Sequence, residues 1–196
     1  MTNRTEREKM ELGLWYDANF DAQLLKERER AVDLCFDLEH TRPSDREKRR
    51  KILDELFPNV DSTVEILHPV FCDYGRNVHI GEHSFINHNC YLMDGAKITI
   101  GKHVFIGPYC GFYTANHPLD HETRNRGLEK AQPITLGDNI WLGANVVVLP
   151  GVAIGSGSVI GAGSVVTKDI PANVLAMGSP CKVIRAITDA DRIARD

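Results

Sequence analysis

The sequence predicts a mainly β fold, a parallel β-helix of six-residue repeats with an N-terminal α-helical cap and one excursion loop. Two observations carry this. First, Ile-Gly or Leu-Gly pairs begin at Ile80, Ile100, Ile106, Leu136, Leu142, Ile154 and Ile160, and every interval after the first is a multiple of six. Between the pairs, Ile86, Leu92 and Ile98, then Phe112, Val148 and Val166, fill the frame. Second, residues 4–57 lack this period and place apolar side chains at helical spacing instead.

In the helical part, Leu24, Leu25, Arg28, Ala31, Val32, Cys35 and Leu38 recur at three- and four-residue steps, a mainly apolar stripe along Asp21–His40. Asn19 or Asp21 is placed to cap its start. The stretch "TRPSDRE" breaks the pattern. Ser44 with Glu47 then has capping-box spacing ahead of Ile52, Leu53, Leu56 and Phe57, and Pro58 marks the end. The expected organisation is a helical region at 1–58, a β-helix at 59–186 and a tail at 187–196.

Each hexad reads as one short strand and a bend. Its aliphatic residue points inward, a small residue follows, and polar residues decorate the turn. Three hexads close a triangular coil, and stacked coils pair their backbones while burying a continuous aliphatic column. Gly and Ala are expected at the tight corners. The period itself does not fix the handedness of the coil.

The frame lapses once. Phe112 and Leu136 are in phase, yet "TANHPLDHETRNRGLEKAQP" between them is polar, charged and twice broken by proline. The chain thus leaves the coil over 113–133 and returns in register. An excursion from a rigid scaffold is a usual place for function, and His117 stands at its start.

Composition narrows the partners. With 196 residues, 42% hydrophobic and 26% charged, the chain suits one soluble domain with a sizeable core. A net charge of -4 gives no general attraction for nucleic acid or an anionic membrane, so neither is expected as a partner. The charged start "MTNRTEREKMELG" lacks an apolar core of signal-peptide length. Five cysteines without C-x-x-C spacing argue against a disulfide scaffold or zinc ribbon and suit buried thiols in a reducing cytoplasm.

Several segments resemble the maltose and galactoside O-acetyltransferase family: "EKMELGLWYDANFDAQLL", "CDYGRNVHIG", "NHPLDHETR", "PITLGDNIWLGANVVVLPGVAIGSGSVIGAGSVVTKDIP" and "GSPCKVIR". The hexads alone would indicate only the wider hexapeptide acyltransferases. The helical start and the "YDA" and "NHP" pieces narrow the resemblance to sugar acetyltransferases, over about residues 5–187. It implies a left-handed β-helix, a homotrimer with active sites between subunits, and acetyl transfer from acetyl-CoA to a sugar hydroxyl with no metal.

The resemblance also implies site residues. His117, in "NHP", becomes the general base, the role that histidine fills most often near neutral pH. Asp17 and Asn87 become acceptor-binding groups, with Asp73 and Asp94 as further candidates. Where one relative has an acceptor carboxylate, this chain has Gly95. Trp141 is expected to line the acyl and pantetheine arm, and the backbone N–H of Ala144 to face the thioester oxygen. Ala162 leaves room for the cofactor arm, while Thr167, Lys168, Lys182 and Arg185 supply contacts for its phosphates. Relatives often carry Arg where Lys182 stands, and Lys lacks the planar fork.

Three other readings compete. A serine or antibiotic acceptor would keep the chemistry and change the substrate. A zinc carbonic-anhydrase-like enzyme on the same coil would draw three ligands from His79, His83, His88, His117 and His121. A non-enzymatic coil would keep the hexads and have no use for His117 or the lysines.

Overall fold

The computed structural model describes residues 4–194; the first three residues of the helical region and the last two of the tail lie outside it. The chain opens with α1 (Glu6–Glu11), capped by Thr5 and Glu8 in a reciprocal capping box. α2 (Ala22–His40) is capped by Asp21, whose carboxylate accepts from the N–H of Leu24. α3 (Arg46–Leu56) starts one residue later than Ser44 implied. Asp45, not Ser44, is its cap, accepting from the N–H of Lys48. The helical region is also interrupted by a two-residue strand, Tyr16–Asp17.

Beyond Phe57 the chain winds a left-handed parallel β-helix with three faces. The first face stacks Asn59–Val60, Val78–Ile80, Ile98–Ile100, Ile134–Leu136 and Ala153–Ile154. The second stacks Glu65–Ile66, Phe85–Ile86, Phe105–Ile106, Trp141–Leu142, Val159–Ile160, Val174–Met177 and Lys182–Ala186. The third stacks Val70–Cys72, Cys90–Met93, Gly111–Tyr113, Val147–Val148 and Val165–Val166. Neighbours pair in parallel except the last strand of the second face, which turns back antiparallel.

The frame residues point inward as the period requires: Ile86, Leu92, Ile98, Phe112, Leu142, Val148, Ile160 and Val166 are fully buried in one column. Burying a side chain of this size is worth about 1.5–3 kcal/mol. Ala31, Cys35, Leu38, Ile52, Leu56 and Phe57 join the same core, so α2 and α3 plug the open base of the coil.

The coils are not of one length. Ile66, Ile86 and Ile106 lie in register twenty residues apart, whereas Leu142 and Ile160 are eighteen apart. The surplus pair of residues in each lower coil sits at the corner between the third and first faces, after Cys72 and again after Met93. The excursion leaves from that same corner.

The other two corners are tight, and the expected glycine takes the left-handed position there in the upper coil, at Gly157 and Gly163, but not in the remaining turns. The left-handed conformation falls on His83, His103, Asn139 and Asn173 at one corner and on Asn89, Tyr109 and Asn145 at the other, with φ between 53° and 62°. Asn, and less often His, tolerates this region. The repeat stacks these positions coil on coil, which brings the rings of His83 and His103 to 5.1 Å between centroids.

Candidate active site

The excursion builds a small sheet of its own. Ala115–Asn116 pairs antiparallel with Leu128–Ala131, which pairs in turn with Tyr16–Asp17 from the cap. Between the two excursion strands lies α4 (His121–Asn125), capped by Asp120. This sheet ties the N-terminal cap to the excursion and sets Asp17, His117 and Glu129 on adjacent rungs.

His117 follows directly on its strand and is exposed. Its Nδ1 lies 3.0 Å from the carbonyl oxygen of Leu128. A carbonyl only accepts, so this contact selects the tautomer with the proton on Nδ1. The lone pair is then on Nε2, which lies 3.8 Å from Oε2 of Glu129. The other carboxylate oxygen of Glu129 accepts from the hydroxyl of fully buried Tyr16.

Glu129 is largely enclosed, and burial pushes its carboxyl above the usual range. Nearby Asp73 pushes the same way, while the Tyr16 hydroxyl, His117 and Arg28 pull down. Asp73 is likewise raised by burial, against the pull of the Tyr91 hydroxyl, which donates to it at 2.6 Å, and of Arg28. The site is therefore a nest of acids and tyrosines beside one histidine, with Arg28 as the balancing cation. Arg28 is held by the carbonyl of Ala18.

Asp17 is half-buried; one oxygen accepts from the N–H groups of Asn19 and Phe20 at 3.1 and 2.9 Å. That bond shapes the turn into α2 and leaves the second oxygen for other work. Asp94 is a correction. It is fully buried, and its carboxylate accepts from the N–H groups of Asp73, Tyr74 and Asn77 at 3.1, 2.8 and 3.2 Å. It organises the widened corner and does not face an acceptor. Burial nonetheless pushes its carboxyl up to about 6.

The remaining candidates lie elsewhere on the coil. Asn87, Ala144 and Ala162 share the corner between the second and third faces, one above another. Asn87 accepts from the N–H of His88 at 2.8 Å, and the left-handed residue of that turn is Asn89, so Asn87 is free of the corner-forming role. At Ala144, the flanking N–H groups of Gly143 and Asn145 donate to Ile160 and Pro108, while its own N–H has no partner among the described residues. A Cβ on Gly107 would stand 2.8 Å from that nitrogen, so glycine there keeps the N–H open.

Trp141 points outward from the second face, above Phe105 and Phe85, with 56% of its surface exposed. With Val159, Leu175, Arg185, Ile187 and Asp191 it lines a cleft of about 380 Å³. Arg185 is paired there with Asp191 through two hydrogen bonds of 2.8 and 2.7 Å, which holds the Asp191 carboxyl down to about 2. Thr167, Lys168 and Lys182 are exposed. Among the described residues no three His, Cys, Asp or Glu side chains converge as a metal ligand set, and no helix is long and apolar enough to cross a membrane.

One chain therefore brings together Asp17, Asp73 and His117 at one corner, with Thr167 and Lys168 two coils above. It leaves Asn87, Ala144, Ala162, Trp141, Lys182 and Arg185 on another corner and face. Sequence reasoning passed over Glu129, Tyr16 and the orientation of Arg28. Glu129 is one acid in a charged loop, and its place beside His117 depends on an antiparallel pairing that no short-range pattern announces.

Two family models match the chain: the maltose acetyltransferase hexapeptide capping motif over residues 9–61, and the bacterial transferase hexapeptide (six repeats) over residues 133–168. A protein of Staphylococcus aureus strain MRSA252, described as an acetyltransferase, is 60% identical over 93% of this chain and 92% of its own. The crystal structure of a maltose O-acetyltransferase from Clostridium difficile 630 superposes with a TM-score of 0.91 at 46% identity, covering 95% of this chain and 99% of that one. A galactoside acetyltransferase in complex with coenzyme A gives 0.90 at 39% identity, over 96% and 94%. With the coil, the helical cap and the histidine of the excursion all in place, the chain belongs to the maltose and galactoside O-acetyltransferase family of hexapeptide-repeat acyltransferases.

Proposed function

We propose that this protein transfers acetyl from acetyl-CoA to a sugar hydroxyl, with His117 as general base, in a trimer whose sites lie between neighbouring copies. The observation that carries the reading is the fixed tautomer of His117. Its Nδ1 proton is engaged by the Leu128 carbonyl, and its Nε2 lone pair is directed at the acidic nest.

The sugar hydroxyl donates to Nε2 and loses its proton there as its oxygen attacks the thioester carbon. Glu129, 3.8 Å away, stabilises the imidazolium that forms. The thioester oxygen gains charge and accepts from the unpartnered N–H of Ala144. Collapse breaks the carbon–sulfur bond, and the imidazolium returns its proton to the departing thiolate. No acyl-enzyme is needed. Asp17, Asp73 and Asn87 hold the remaining sugar hydroxyls. Trp141 and Ala162 flank the pantetheine arm, and Thr167, Lys168, Lys182 and Arg185 contact the phosphates and ribose.

Because His117 and Ala144 lie on different corners of the coil, one chain does not complete this site. A threefold assembly that sets one corner of each copy against another corner of the next would do so. Phe105 and Trp141, exposed at 53% and 56% along the second face, suit such a contact.

The test is CoA release from acetyl-CoA with maltose, glucose, galactosides, serine and chloramphenicol as acceptors, for wild type and His117→Ala. Release that depends on a sugar and falls by about 10²–10⁴ in the variant is expected. Stimulation by serine or chloramphenicol alone would replace the sugar with another acceptor. Sugar-dependent release that survives in His117→Ala would remove the histidine from the chemistry.

A further inference from the structure

At the end of the coil where the helical cap sits, a groove of about 600 Å³ runs between α3 and the first strand of the second face. Arg46, Arg49 and Arg50 line it from the helix, where positions three and four apart share one face. His68 and His88 line it from the neighbouring corner, and Glu65 is the acidic residue of its wall.

Of the three arginines, only Arg50 is paired with a carboxylate among the described residues. Arg50 pairs with Asp54 and donates to the carbonyl of Ser62 at 3.2 Å. Arg46 and Arg49 have no carboxylate partner among the described residues, and Glu65 forms no ion pair there. Arg49 reaches the carbonyl of Ile66 with Nη2 at 3.4 Å, a long bond, while its Nη1 is sealed from solvent with no acceptor. Nδ1 of His68 is sealed and unpartnered in the same way. Buried donors without acceptors are rare in folded proteins because each gives up its hydration for nothing. Arg49 Nη1 is such a donor, and the guanidinium that carries it lines a groove rich in cations.

We propose that this groove is a binding site for a phosphate group, either the free ion or the phosphomonoester end of a small molecule. A tetrahedral oxyanion offers several acceptor oxygens at once. Arg46, Arg49 and Arg50, which line the groove, can turn donors toward these oxygens, and the group matches the fork of a guanidinium. The field in the groove is favourable. His68 is held below the ordinary histidine value first by burial and then by Arg49 and His88, with only Glu39 opposing. An anion between these groups reverses the two repulsions. The site is separate from the one proposed for CoA, whose contacts Thr167, Lys168, Lys182 and Arg185 lie toward the far end of the coil. It stands whether or not the acetyl acceptor is a sugar.

The test is titration calorimetry of the purified protein with inorganic phosphate and with glucose 6-phosphate, at constant ionic strength and with CoA already saturating. Wild type is expected to bind at least one of the two. Arg46→Gln/Arg49→Gln should weaken that binding by about tenfold or more, and Lys168→Gln/Lys182→Gln should leave it unchanged. Tighter binding of the ester assigns the groove to organic phosphates, and equal binding assigns it to the free ion. The single variant Arg46→Gln, at an exposed side chain, gives the same direction if the double variant folds poorly. No heat with either probe, equal affinity in the arginine variants, or loss only in the lysine variants would overturn the site.

Discussion

At Glu129 the protein keeps a carboxylate where burial opposes its charge and Tyr16 and His117 support it. A buried charge that is only partly compensated costs stability, and such groups recur where chemistry needs them. The sign follows from the direction of the shift. The folded protein favours the protonated acid, so below the ordinary glutamate value of 4.5 burial carries no charge penalty, and the penalty grows as pH rises through the raised value. Glu129→Gln can still accept from Tyr16 and carries no charge at any pH. Its thermal midpoint is expected to exceed that of wild type at neutral pH, with the gap closing below 4.5. Its kcat is expected to fall by about 10–100-fold, as for outer-shell partners of catalytic groups, with KM for the acceptor less affected. Melting curves and rates across pH check both. A variant that is less stable at neutral pH would mean that the carboxylate is a structural anion. Gly95 belongs to the same account: a Cβ there would lie 3.3 Å from Oε1 of Glu129 and 3.1 Å from the Tyr16 hydroxyl. A carboxylate at 95 would face the Glu129 carboxylate, so the two acids would repel.

Among elements, the corner between the third and first faces is where the regular coil gives way. Two extra residues enter it in each lower coil, and the excursion leaves from it. Asp94 holds this corner by gathering three backbone N–H groups from the coil below. Removing the carboxylate strands those donors, at about 1–3 kcal/mol for each one left unsatisfied. Asp94→Ala is therefore expected to lose ~3 kcal/mol or more in denaturant unfolding, and Asp94→Asn less, since its amide oxygen still accepts. Equal stability of Asp94→Ala and wild type would mean that water replaces the carboxylate there. How far the sequence could be read follows from where the partners lie. The aliphatic column was legible because its geometry is a period, and the widened corner was visible as the single interval of twenty between Ile80 and Ile100. Asp94 was not legible: its partners lie about twenty residues back, one coil down, and are main-chain atoms that no side-chain pattern marks. Ser44 and Asp45 differ by one position, and both are good cap residues. The left-handed residue of one turn is Asn89 and not the nearby Asn87, and hexad spacing does not say which of two asparagines takes positive φ.

For the whole molecule, a three-faced coil sets a constraint that no single residue does. Side chains on different corners point away from one another, so His117 cannot meet Trp141 or Ala144 of its own chain without unwinding the scaffold. A site that needs both must be shared, and the proposed threefold assembly would make identical sites, each from one corner of one copy and another corner of the next. This predicts complementation. His117→Ala and Trp141→Ala, purified separately, should each be strongly impaired. Unfolded together and refolded as a mixture, they should form assemblies in which some sites pair the intact His117 corner of one variant with the intact Trp141 face of the other. Random mixing makes about one site in four of that kind, so the mixture should recover about a quarter of wild-type activity, while each variant refolded alone recovers none. Mass analysis in solution should show a trimer in every case. If the refolded mixture stays as inactive as its components although mixed trimers are present, each site is built within one chain, and the division of labour between corners is wrong.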